Sequence, residues 1–103
     1  MHPDLSALVA MMNDAIALFR KHAITHWASW LERDIEYIRK SDFYGVQHLL
    51  SAYGGMGSLN DIGLAEPDPD RPGFLRTHAD DPQLQELLSG IYAAALKIQR
   101  EEA

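Results

Sequence analysis

The chain of 103 residues contains no cysteine. A disulfide scaffold, a Cys-ligated zinc site, a thiolate nucleophile and a dithiol redox motif are therefore all excluded. Basic residues are also scarce: nine Lys and Arg stand against fifteen Asp and Glu, for a formal charge of −6. They cluster only as Arg20-Lys21 and Arg39-Lys40, each pair at the end of a predicted helix, where cations complement the helix dipole. Without a basic stripe to release counterions or meet anionic headgroups, neither nucleic acid nor membrane is expected as a partner. Near the N-terminus no charged segment leads into an apolar run, and the uncharged stretch from Leu5 to Asn13 is too short to span a bilayer. A cytoplasmic protein is expected. Internal repeats, low-complexity tracts and β-rich runs are missing too.

What is present is helical periodicity. With 47% hydrophobic residues, the length supports a single domain over 1–103 whose core needs neither disulfide nor structural metal. Leu5, Leu8, Val9, Met12, Ile16 and Phe19 share one helical face and predict a helix over about 4–22, with Asp4 as its cap. Ile24, Trp27, Ala28, Leu31, Ile35 and Ile38 repeat the pattern over 25–40, with Thr25 as N-cap and Glu32, Arg33, Asp34 and Glu36 on the other sides. The short link between them favours antiparallel neighbours. A third helix over 42–53, capped by Ser41 or Asp42, carries Phe43, Val46, Leu49, Leu50 and Tyr53. Gly45 within it predicts a close crossing or a kink, and Gly54-Gly55 is expected to end it. Residues 65–80, rich in proline and charge, read as a long loop, and Ser58 is expected to cap a short turn before it. Asp81-Pro82 then opens a last helix over 82–100 lined by Leu84, Leu87, Leu88, Ile91, Ala95 and Ile98. The expected fold is all-α: an irregular four-helix bundle with one long Pro-rich connection before the last helix.

Three of the four residues Gly54, Gly55, Met56 and Gly57 are glycine, followed by Ser58, Leu59, Asn60 and Asp61. Glycines in such density lose conformational entropy on folding, so this backbone is under a specific demand. Three readings stand side by side. In one, the glycine amides and Ser58 converge on an anion; in another, a helix stop leads into a tight turn in which Asn60 and Asp61 bond to backbone amides; in the third, the loop binds a protein partner. No Lys or Arg lies in the motif and the phosphate-loop pattern is absent, which disfavours a nucleotide. The candidate loop is Gly54, Gly55, Gly57, Ser58, Asn60 and Asp61. The stretch from Trp27 to Leu64, above all Tyr53 to Asp61, resembles a family of small bacterial domains of unknown function with a G-G-M-G-S-x-N-D signature. That resemblance implies a bacterial cytoplasmic protein of mostly helical fold, with no established catalytic residue, and associates it with immunity or accessory proteins.

Other constellations are weaker. His22 and His26 have the i, i+4 spacing of two ligands on one helix face, but the predicted helix boundary falls between them, so no metal site is assigned. No catalytic set and no cofactor are expected. Trp30, three residues after Trp27, lies about 60° off its direction on the flank of the stripe. Together with Tyr37 it offers aromatic anchors of the type enriched at interfaces. Residues 65–103 hold eight acids against four bases, compared with seven against five before them. Asp68 and Asp70 therefore join Trp30 and Tyr37 as a candidate interface for a basic partner. The leading expectation is a non-enzymatic interaction module, such as an immunity protein. The alternatives are a small anion- or metal-binding enzyme built on the glycine-rich loop, and a homodimer joined through helix faces.

Overall fold

A computed structural model describes residues 3–40, 43–54 and 57–102. Within them run α1 (Pro3–Lys21), α2 (Thr25–Arg39), α3 (Tyr44–Ser51) and α4 (Asp81–Glu102). A 3-10 turn at Leu59–Asp61 and a hairpin of β1 (Ala65–Pro67) and β2 (Leu75–Thr77) lie between α3 and α4. α1 packs against both α2 and α4, α2 against α3, and α3 against α4. The core is built from the predicted stripes, with Leu8, Met12, Phe19, Leu31, Leu49, Leu84 and Ile91 fully buried. No helix of the described residues is long and apolar enough to cross a membrane.

The all-α expectation needs one correction. Residues 65–80 are not an irregular loop, because Ala65↔Thr77, Glu66↔Arg76 and Pro67↔Leu75 pair as an antiparallel ladder. Asp68 N–H donates to Phe74 O and His78 N–H to Leu64 O, closing the ladder at both ends. Proline, read as a loop signal, is tolerated because Pro67 falls in the non-hydrogen-bonded register, where the ladder requires no N–H. The turn closes through Arg71 N–H to Asp68 O and Phe74 N–H to Arg71 O, with Gly73 at φ +87°.

Several helix ends shift as well. Asp4 sits inside the first turn of α1, and Thr25 is the first residue of α2; Ile24 occupies the cap without a side-chain bond. α3 ends at Ser51, three residues before Gly54, so glycine shapes the following turn and not the helix stop. Ser58 precedes the 3-10 turn without a side-chain cap bond. Asp81 is already helical; Leu84 N–H donates to the carbonyl of Asp80 before it. The Ser41 and Asp42 caps lie outside the described residues.

Two backbone positions set the helix geometry. At the α1–α2 corner, Ile24 N–H reaches Phe19 O at 2.8 Å and Ala23 N–H reaches Arg20 O at 3.2 Å, the paired bonds of a Schellman turn. Its left-handed residue is Ala23, at φ +59°. At the α2–α3 crossing, a Cβ on Gly45 would lie 2.8 Å from Tyr37 Cβ and 2.9 Å from the carbonyl oxygen of Asp34. The close crossing expected at Gly45 is therefore present.

These positions predict opposite responses in urea unfolding. Ala23→Gly is expected to stabilise by about 1 kcal/mol, since glycine enters the left-handed region without the Cβ penalty. Gly45→Ala is expected to destabilise by about 1–3 kcal/mol despite alanine's better helix propensity, because a backbone carbonyl and a packed Cβ cannot yield cheaply. A Gly45→Ala protein as stable as the wild type would refute the close crossing.

Candidate functional site

The glycine-rich segment folds onto itself. Gly54 and Gly57 take φ +91° and +80°, which a side chain would resist. Asn60 Oδ1 accepts from Gly54 N–H at 3.1 Å and from Ser58 Oγ at 2.5 Å, while Asp61 Oδ2 accepts from Gly57 N–H at 2.9 Å. Leu59 N–H donates to Ala52 O and the leucine side chain is fully buried, fixing the loop to the core. The Gly54 and Gly57 amides that would face an anion are thus bonded within the loop. Gly55 lies outside the described residues.

Behind this loop, Gly54 and Asn60 form one wall of a cleft of about 580 Å³ between α3 and α4. Its polar lining is uncharged, with Gln85, Ser89, Gln99 and Tyr92 joining Asn60. Tyr53, also in the wall, donates its hydroxyl to Leu88 O at 2.7 Å, and burial raises the pKa of that hydroxyl. A lining without charge suits a neutral occupant better than an anion.

The most unusual chemistry lies on α2, at a residue expected on a solvated side. Asp34 is fully buried. It falls three residues after Leu31 and seven after Trp27, a spacing that widens the apolar stripe toward α3. His48 on α3 meets it, Nδ1 lying 2.6 Å from Asp34 Oδ1. The Trp30 ring stacks on the His48 imidazole at 4.2 Å between centroids, and the Tyr44 ring lies tilted to it at 5.6 Å. Burial pushes the Asp34 carboxyl up to about 6, against the opposing pull of His48. Trp30 Nε1 also favours the charged form, yet among the described residues it makes no hydrogen bond of ordinary geometry, and Asp34 Oδ2 finds no partner there either. An Asp–His pair of this kind orients the imidazole and leaves its Nε2 as the remaining polar atom.

The other predicted residues do not converge. Trp30 and Tyr37 are half-buried and use their rings within the α2–α3 contact, Tyr37 meeting Tyr44 edge-on at 5.1 Å. Asp68 and Asp70 belong to the hairpin turn, where Asp68 Oδ1 accepts from Asp70 N–H. Nor do His22 and His26 share a site: His26 rests against Trp27, whereas His22 turns to Asp80 and His78. His48 and Asp34 were missed because their partnership spans two helices, although the position of Asp34 on the stripe was readable.

The raised Asp34 pKa has a definite sign. Between the unfolded value near 3.8 and the folded value of about 6, the folded chain binds more protons. Stability from this group is therefore full below pH 4 and declines as pH rises through 6. Relative to Asp34→Asn, the unfolding free energy of the wild type is expected to fall by about 2–3 kcal/mol from pH 4 to pH 7. Denaturant titrations of both proteins across that range check it; parallel curves would show that Asp34 does not titrate as described.

No curated protein and no solved structure matches the chain. Residues 20–70 match the family model of a domain of unknown function (DUF6966). That stretch runs from the end of α1 through α2, α3 and the glycine-rich loop into the hairpin turn, so the segment carrying the Asp34–His48 pair is similar to an uncharacterised domain family.

Proposed function

We propose that the chain is a non-enzymatic protein-interaction module of the bacterial immunity or accessory kind, and that the hairpin of residues 65–77 is its partner-facing element. The observation that carries this reading is the exposure of Phe74 and Leu75, at 60% and 66%, where the turn enters β2. Two adjacent large apolar side chains left in water on an edge strand favour a contact surface.

The backbone supports the same reading. With Asp68–Phe74 and Leu64–His78 in hydrogen-bonded register, the N–H and C=O groups of Leu75 and Thr77 face away from β1. A partner strand can add there. On the other edge, Pro67 removes a donor and protects β1 from such pairing. Charge plays a smaller part than the composition suggested, because Arg76 pairs with Glu66 and Arg71 with Asp68. Arg71 also lies over the Phe74 ring at 5.1 Å. The partner suited to this surface brings an extended segment and an apolar pocket for Phe74.

The test compares the wild type with a Phe74→Ser, Leu75→Ser double variant as bait in lysate of the native host. Both side chains are exposed, so circular dichroism and melting temperature are expected to stay unchanged. A stoichiometric partner is expected with the wild type and a loss of about tenfold or more with the variant, together with slowed hydrogen exchange at Leu75 and Thr77 in the complex. Equal capture by both baits, or capture by neither, would overturn the proposal. Light scattering that shows doubled mass would identify the partner as a second copy.

A further inference from the structure

Three side chains from separate parts of the chain converge beside the α1–α2 corner. His22 follows α1 within the Schellman turn, and His78 and Asp80 lie on the short connection between β2 and α4. One donor atom from each lies within 4.8 Å of the other two. All three side chains are about four-fifths buried. His22 Nε2 is 2.9 Å from Asp80 Oδ2, and His78 Nδ1 is 3.7 Å from the same oxygen. The two imidazoles meet edge to face at 4.5 Å.

We infer that His22, His78 and Asp80 form a binding site for one divalent transition-metal ion of the zinc class, a reading independent of the interaction surface. Donors bound to a tetrahedral ion at about 2.0–2.1 Å lie about 3.3 Å apart, and the two separations from Asp80 Oδ2, 2.9 and 3.7 Å, bracket that value. Two imidazoles and one carboxylate make a set of three protein ligands that leaves a coordination position open. His78 Nδ1 accepts the Asp80 N–H at 2.9 Å, so ligation through that atom exchanges this hydrogen bond for the metal bond. His22 ligates through Nε2 once its ring proton resides on Nδ1. No side chain must cross the fold, since Ala23 and the hairpin base have already set the positions of the ligands.

The present occupant of Asp80 Oδ2 explains the electrostatics. Lys21 Nζ donates to it at 2.8 Å, and this bond, followed by that of His22, holds the carboxyl well below the usual range. The lysine is largely exposed and leaves readily to solvent. It therefore acts as a competing cation, and removing it should strengthen metal binding. A bound ion would join residue 22 to residues 78–80 and clip the hairpin base to the helix corner, so it should also stabilise the fold.

The probe is Zn(II), titrated into the full untagged chain by calorimetry, with Co(II) as a spectroscopic substitute and thermal melting as a second readout. Saturable 1:1 binding is expected, with a rise in melting temperature and a Co(II) spectrum of low coordination symmetry. His22→Gln and His78→Gln should each weaken binding by about tenfold or more. Lys21→Ala should tighten it while leaving the three ligands in place. His26→Gln should change nothing, which separates this site from adventitious histidine binding. Absence of saturable binding to the wild type, or binding that survives both glutamine variants, would overturn the inference even if either variant is less stable.

Discussion

The crossing of α2 over α3 at Gly45 is the constraint on which most of the molecule depends. Because this residue has no Cβ, the backbone of Asp34 and the Cβ of Tyr37 approach to within a distance that any other residue would block. At that separation water is excluded from the Asp34 carboxylate, and His48 becomes its partner. The aromatic stack of Trp30 on His48 then completes the contact. The direction of α3 also determines where the chain emerges, and hence where the glycine-rich segment begins. Leu59 returns to the core and Asn60 and Asp61 tie the amides of the loop, so the wall of the α3–α4 cleft is a consequence of the same crossing.

A second junction, at the opposite end of α2, holds the hairpin in place. Two strands of three residues are not stable in water alone. These persist because Leu64 is buried, its N–H donates to Asp81 Oδ1 at 2.8 Å, and Gln85 reaches back to Ile62 O at 2.7 Å. Asp80 adds the bonds to Lys21 and His22. The hairpin thus has a rigid base and an apolar end in water. The contact surface proposed for it would gain from that division, because a base already ordered leaves little ordering to be done on binding.

The unusual composition of residues 54–61 has a structural account that requires no ligand. Positive φ at Gly54 and Gly57 demands glycine, and the side chains of Asn60 and Asp61 supply acceptors for the two amides thus exposed. A motif of this composition is therefore compatible with a purely architectural role, while the two most exposed large apolar side chains of the described residues lie farther along the chain, at Phe74 and Leu75. The buried Asp34–His48 pair has a different standing. Replacing a buried charged pair with apolar residues often costs nothing, so its presence is weak evidence for stability and directs attention to the chemistry of the α2–α3 contact.

The four helices and most of the core were legible in the sequence because a helix commits every third or fourth residue to one side, and that period survives without knowledge of the neighbours. Leu8, Met12, Leu31, Leu49, Leu84 and Ile91 are buried where the spacing placed them. Gly45 announced its crossing for a similar reason, since a glycine inside a helix is unfavourable without a close approach. The hairpin was hidden because its strands are too short for alternation to show and its prolines imitate a loop. Helix ends drifted by a residue or two: α2 is capped at Ile24 without a side-chain bond, while α1 closes through the backbone bonds of Ala23 and Ile24. Local periodicity settles which faces must leave water. Which polar residues meet follows from the packing of the helices: Asp34 with His48 across 14 positions, and His22 with Asp80 across 58. Such pairings depend on how helix faces are apposed in space, and no local periodicity encodes that.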